Sequence, residues 1–236
     1  MALPKLNTPT YTMIIPSMQK EVEYRPFNVK EQKTLMMAKE SNDEKAMIRA
    51  TRELIRDCLF EKVDIKKLTM FDFEYIFLMC RAKSVGETSD VMIKCSECED
   101  LNPVSINIDD AEVFGEIKSS KEKTVALTDE VGVTLNYPGF ESALEILQQN
   151  QGETEAALDV IVSCVDTIYD KENVYPAADH TFDELKEFVE SLSTKQFEQI
   201  TEFFNDAPYV GLNSNFTCNK CGHQNELTIQ GLKNFF

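Results

Sequence analysis

Four of the seven cysteines stand in two C-x-x-C pairs, Cys95-Ser-Glu-Cys98 and Cys218-Asn-Lys-Cys221. Thiolate sulfur is the ligand of structural zinc, and two cysteines separated by two residues reach one ion from a single tight turn. Two such turns supply four sulfurs, which fills a tetrahedron and leaves no open position for water or substrate. The spacing predicts one structural zinc ion, held by Cys95, Cys98, Cys218 and Cys221, that clips the middle of the chain to a segment far downstream.

The flanks of the two pairs repeat as well. Asn102, Val104, Ser105 and Ile106 follow the first pair at the offsets at which Asn225, Leu227, Thr228 and Ile229 follow the second. Ile93 and Phe216 each sit two residues before the first cysteine of their pair. Each segment reads strand, knuckle, strand, so 88–109 and 212–231 are expected to form the halves of a split zinc ribbon. A thioredoxin-like redox pair is the rival reading, and a chance pairing of core cysteines is the bland one. Redox chemistry needs the first cysteine at a helix N-terminus, where the dipole lowers its pKa. The period-two alternation after both pairs puts strands there instead. His223, two residues past Cys221, is read as a surface residue of its knuckle because four cysteines already complete the ligand set.

Other reactive residue types form no constellation. The sequence has no Gly-rich phosphate loop, no G-x-S-x-G elbow and no H-E-x-x-H pair. Cys58, Cys80 and Cys164 fall on apolar helix faces and are read as core, and His180 as a solvated loop residue. Acidic pairs such as Asp109–Asp110 and Asp129–Glu130 are read as solvated turns, since general acid–base work needs a shared cleft that splits the pKa values. No catalytic or cofactor-binding residue and no small-molecule substrate is assigned, and the chain is expected not to be an enzyme.

The elements that must carry the knuckles follow from periodicity and caps. Residues 10–15 and 21–25 are β-rich runs around Pro16-Ser17-Met18-Gln19, an N-terminal β-hairpin. Asn28 with Glu31 is a capping box that opens a helix to about Ala38, and Asp43 caps the next one, whose stripe is Met47, Ala50, Leu54 and Cys58. Residues 70–85 are apolar on nearly every face and are expected to form a central buried helix ended by Gly86. Strands are expected around each C-x-x-C, and a second hairpin from 124–127 and 131–135. Helices are expected at 140–150, 153–168, 182–190 and 194–205, the last two opened by capping boxes Thr181/Glu184 and Ser193/Gln196. With no linker or low-complexity run to divide it, 1–236 is read as a single α+β domain, a mostly helical body with a hairpin and a split four-cysteine ribbon.

Charge sets the expected partners. The formal net charge is −17, from 41 acidic and 24 basic residues, so phosphate backbones repel the chain. No apolar run is long enough for a membrane span, and no signal-peptide pattern opens the sequence. Unpaired-looking cysteines in C-x-x-C suit a reducing compartment, so a cytoplasmic location is expected.

Three segments together resemble one family: the opening ALPKLNTPTYTMIIPSMQKEVEYRPFNVKEQKTLMMAKES, the helix FEYIFLMCRAKSVGE, and the terminal FTCNKCGHQNELTIQGLKNFF. They are similar to the baseplate hub subunits of T-even-type contractile-tailed bacteriophages, including cyanophage members. The resemblance implies a non-catalytic tail baseplate hub subunit or hub assembly factor, with other baseplate hub proteins or the tape-measure protein as partners. It implies a location in the host cytoplasm during assembly, and leaves open whether the protein stays in the virion tail baseplate or acts only as an assembly factor. The alternative is a zinc-ribbon regulator that binds nucleic acid. That role wants Lys and Arg on the ribbon, whereas Asp90, Glu97, Glu99 and Asp100 outnumber Lys94 in its first half. The apolar Leu232, Phe235 and Phe236 are expected either to dock on the protein itself or to anchor a partner.

Overall fold

The computed structural model describes residues 8–60, 63–119, 121–149 and 152–230. Leu232, Phe235 and Phe236 lie outside the described residues. The fold is mixed α+β, and its contacts group into two compact units. The first comprises Met1–Val63, Phe71–Phe114 and Tyr209–Phe236, and the second Asp64–Met70 and Gly115–Pro208. Among the described residues no helix is long and apolar enough to cross a membrane.

The first unit opens with the expected hairpin. Strands β1 (Tyr11–Ile15) and β2 (Lys20–Tyr24) pair antiparallel, and alternation buries Met13, Ile15, Val22 and Tyr24 on one face. Helix α1 (Val29–Glu40) starts at the Asn28/Glu31 capping box, and α2 (Glu44–Cys58) at Asp43, whose side chain accepts the Lys45 N–H. Capping of this kind satisfies backbone donors that the first helical turn leaves free. After α2 the chain returns beside β2, where the Arg25 N–H donates to the Cys58 carbonyl and the Phe60 N–H to the Glu23 carbonyl, both at 3.0 Å.

Helix α3 (Met70–Val85) buries Phe71, Phe73, Ile76, Phe77, Leu78, Met79, Cys80 and Ala82. An all-round apolar helix can bury most of its surface only at the centre of a unit, and its position agrees with that. Gly86 follows at φ +132°, a conformation that L side chains rarely adopt, and the chain turns into β3 (Thr88–Lys94). Strand β3 pairs antiparallel with β4 (Leu101–Asn107), and the first knuckle joins them. A short strand β5 (Glu112–Phe114) ends this passage.

The second unit is built on an antiparallel sheet of four strands: β6 (Thr124–Ala126), β7 (Gly132–Leu135), β8 (Val165–Tyr169) and β9 (Val174–Pro176), in that order. Between β7 and β8 run α4 (Phe140–Leu147) and α5 (Glu153–Ser163). Helices α6 (Phe182–Glu190) and α7 (Thr194–Asn205) close the unit, each opened by the capping box read from the sequence. The expected helix over 153–168 is corrected here: it stops at Ser163, and Val165–Tyr169 is a strand. Apart from Asp166 that stretch is β-branched or aromatic, and its backbone groups pair with β7 on one side and β9 on the other.

The chain then re-enters the first unit as β10 (Tyr209–Thr217) and β11 (Gln224–Gln230), a long hairpin with the second knuckle at its tip. The start of β10 also pairs with β5, where Tyr209 stacks on Phe114 with ring centroids 5.5 Å apart.

Candidate metal centre

The two knuckles are built alike. In the first, the Cys95 N–H donates to the Asp100 carbonyl at 2.9 Å and the Glu99 N–H to the Cys95 carbonyl at 3.0 Å. In the second, the Cys218 N–H donates to the His223 carbonyl at 2.8 Å and the Gly222 N–H to the Cys218 carbonyl at 3.0 Å. The residue after the second cysteine is left-handed in both, with φ 57° at Glu99 and 75° at Gly222. So sharp a turn aims backbone amides at the sulfurs. Cys95 accepts from the amides of Cys98 and Glu97, and Cys218 from those of Cys221 and Lys220. Cys98 and Cys221 each accept one amide, from Asp100 and His223.

The knuckles meet face to face. The Sγ atoms of Cys95 and Cys221 lie 3.7 Å apart, those of Cys98 and Cys218 lie 3.6 Å apart, and all four fall within 4.8 Å of one another. A tetrahedron with metal–sulfur bonds of about 2.3 Å has an edge of about 3.8 Å. The separations are far above a disulfide bond of about 2.05 Å, and all four cysteines are free thiols. The structure thus brings together every residue that the sequence assigned to the metal. Cys95 and Cys218 are buried, Cys98 is half-buried and Cys221 is exposed, so the cluster sits at the protein surface with one side open to entry of an ion.

The sulfurs do not ionise alike. Cys218 is pulled down to about 6, chiefly because the Cys221 amide donates to its thiolate. For Cys98 the Asp100 amide also favours the thiolate, but burial and the neighbouring sulfurs of Cys221, Cys218 and Cys95 outweigh it and push the thiol up to about 12. One thiolate forms readily here, and further ones are repelled by it. A cation among the four removes that repulsion, which is the behaviour of a metal-binding donor set.

Two asparagines complete the centre. Asn102 and Asn225 are buried, at 1% and 5% exposure, and each reaches into the opposite knuckle. The Asn102 side-chain carbonyl accepts the Asn219 N–H at 2.8 Å, and its amide donates to the Cys218 sulfur at 3.5 Å. Reciprocally, the Asn225 carbonyl accepts the Ser96 N–H at 2.9 Å, and its amide donates to the Cys95 sulfur at 3.6 Å. Each amide also donates within its own knuckle, Asn102 to the Asp100 carbonyl and Asn225 to the His223 carbonyl. The repeated offset of these asparagines is visible in the sequence, but their role there was not assigned. At the rim, Lys220 pairs with Asp100 across the two knuckles at 3.2 Å.

His223 is half-buried and contributes its backbone to the knuckle. Cys58, Cys80 and Cys164 are buried in helices or at a helix end, as expected of core thiols, and burial pushes Cys164 up to about 12. His180 belongs to the second unit, 3.8 Å from Glu184, beside a cavity of about 330 Å³ walled mainly by Val131, Ile168, Tyr175, Leu185 and Phe188. The nearby carboxylates serve the backbone: Glu184 accepts from Thr181 in the α6 capping box, and Asp170 accepts the N–H groups of Glu172 and Asn173.

No curated protein and no solved structure matches the chain. Among protein families, the one described as T4 bacteriophage base plate protein matches residues 8–236, a span that includes both knuckles and everything between them. The chain belongs to the T4 bacteriophage base plate protein family.

Proposed function

We propose that this protein is a non-catalytic subunit, or assembly factor, of the baseplate hub in a contractile phage tail, and that its four cysteines hold one structural zinc ion. The observation that carries the metal reading is the cross-matched set of sulfur separations, 3.7 and 3.6 Å, near the edge of a zinc–thiolate tetrahedron. Four protein sulfurs around one ion leave no position for substrate, which suits a clip and not a catalyst. Family membership over 8–236 supports the baseplate role. The partners in this reading are other baseplate hub proteins or the tape-measure protein, met in the host cytoplasm during assembly; a subunit would then stay in the virion tail baseplate, and an assembly factor would not.

The nucleic-acid regulator fits less well. The ribbon is short of basic side chains, and Lys220 is already engaged by Asp100. Co-expression with the hub and tape-measure proteins of the same phage tests the proposal. Co-purification as a defined complex is the expected outcome. Failure to associate, together with tight and salt-sensitive binding to duplex DNA, would favour the regulator.

A further inference from the structure

Asn102 and Asn225 are more than buried polar residues that found partners. An asparagine side chain has a carbonyl acceptor and two N–H donors, and here each of these groups is engaged. One donor stays in the residue's own knuckle. The acceptor and the other donor go to the opposite knuckle, one to its backbone and one to a sulfur. Both residues share this pattern, with the Asn225 carbonyl in addition accepting the Ser96 hydroxyl at 2.9 Å, and the sulfur reached is in each case that of the first cysteine of the opposite pair. Packing alone would be served by an apolar side chain, because burying an amide confers nothing unless its hydrogen bonds are made.

We infer that Asn102 and Asn225 are reciprocal positioning residues of the metal centre, each controlling a thiolate that belongs to the other half of the ribbon. The inference rests on the reading of the four cysteines as a zinc site. An N–H donated to a thiolate withdraws charge from the sulfur and fixes its direction, which stabilises the metal-bound form and makes the sulfur a weaker nucleophile. Cys95 and Cys218 already receive two backbone amides each, so the asparagine adds a third donor. Among the described residues no asparagine donates to Cys98 or Cys221. The centre is therefore graded, with two well-braced sulfurs and two that are held more loosely, one of them Cys221 at the open side.

The substitution that isolates this role is Asn102→Asp, with Asn225→Asp as its mirror. Aspartate keeps the acceptor for the opposite backbone amide but has no donor for the sulfur, and it sets a carboxylate oxygen against a thiolate. Zinc-loaded full-length protein and both variants are compared in two ways. Competition with a chromophoric chelator should show zinc affinity weakened about 10- to 100-fold in each variant. Alkylation by N-ethylmaleimide, mapped by peptide mass spectrometry, should show a crossed pattern. Asn102→Asp should accelerate modification of Cys218 several-fold, and Asn225→Asp that of Cys95. Unchanged affinity with an unchanged order of alkylation would overturn the inference, as would acceleration confined to the cysteines of the substituted knuckle. If an aspartate variant fails to fold, Asn102→Ala or Asn225→Ala removes the donor without adding charge and is read by the same two measurements. Wild-type protein that binds no zinc would instead overturn the zinc reading itself.

Discussion

The Asp72 carboxylate, fully buried in the first turn of α3, accepts the backbone N–H of Ser17 at 2.8 Å and its hydroxyl at 2.5 Å. Ser17 lies in the turn between β1 and β2, so the pair ties the N-terminal hairpin to the central helix of the first unit. A buried carboxylate must be compensated by donors, and each one removed leaves part of its desolvation cost uncovered. Ser17→Ala deletes the hydroxyl donor and should lower stability by about 1–3 kcal/mol. Urea unfolding measures it, and an unchanged midpoint would show that the hydroxyl contributes nothing.

Glu99 and Gly222 occupy equivalent positions of the two knuckles with left-handed backbone, and only one of them is glycine. An L side chain there costs of order 1–3 kcal/mol, while glycine gives back about 0.4–1 kcal/mol through the freedom of the unfolded chain. Glu99→Gly should therefore be neutral or stabilising by about 1 kcal/mol. Gly222→Ala should be destabilising, although nothing among the described residues lies within 4 Å of the added Cβ, because the backbone alone opposes it. Thermal unfolding of the metal-loaded variants checks the pair, and a change of the same sign in both would contradict the shared geometry.

The Glu31 carboxylate is bound by Arg25 at 2.7 Å with both side chains largely buried. Burial works to raise its pKa, but the Arg25 guanidinium and the Asn28 N–H outweigh it and hold the carboxyl below its ordinary value. A depressed folded value means that the stabilisation is fully present above the unfolded pKa of about 4.3 and is lost as pH falls through the folded one. Glu31→Gln should cost about 1–2 kcal/mol at pH 7, and the difference from wild type should shrink below about pH 4. Denaturant midpoints at the two pH values measure this; a constant difference would remove the ion pair as the cause.

If the cysteines hold zinc, chelation should act locally before it acts globally. Structural zinc supplies of order 10 kcal/mol in small zinc-finger peptides, which have little else to hold them. Here α2 and α3 bring their own apolar core. A chelator should release one zinc per chain and strip hydrogen-exchange protection from 88–109 and 212–230, leaving the amides of α3 protected. Simultaneous loss of protection in α3 would mean that the centre holds the first unit together as well as its own strands.

Local signals carried much of the fold. The three capping boxes are each a pair of polar residues at fixed spacing, and all three open helices where they stand. Helix α3 is bounded at Met70 and Val85 as read, because its apolar run ends at Gly86. The knuckles were legible for the same reason, since the constraint is contained in a few adjacent residues. What failed depended on distant partners. Val165–Tyr169 continues an apolar pattern from α5, and only its pairing with β7 makes it a strand; there Tyr169 lies over Gly132, where an added Cβ would come within 2.8 Å of the Val125 carbonyl. The three-residue strands β5 and β9 are too short to show a period. The reach of Asn102 and Asn225 across the centre is a property of the assembled knuckles, and no spacing within either segment announces it.

Cys98 and Cys218, 3.6 Å apart in space, stand 120 positions apart along the chain, and Gly115–Pro208, the larger segment of the second unit, lies between them. During synthesis the ribosome must make all of that before the second half of the centre exists. At about 5–20 residues per second the first knuckle waits for roughly 6–24 seconds with half of its ligands. Two sulfurs and no asparagine from the other side make a poor trap for an ion. If the four cysteines hold a metal, loading is therefore a late event in the life of the nascent chain, and a filled centre records that translation has passed through everything lying between its halves.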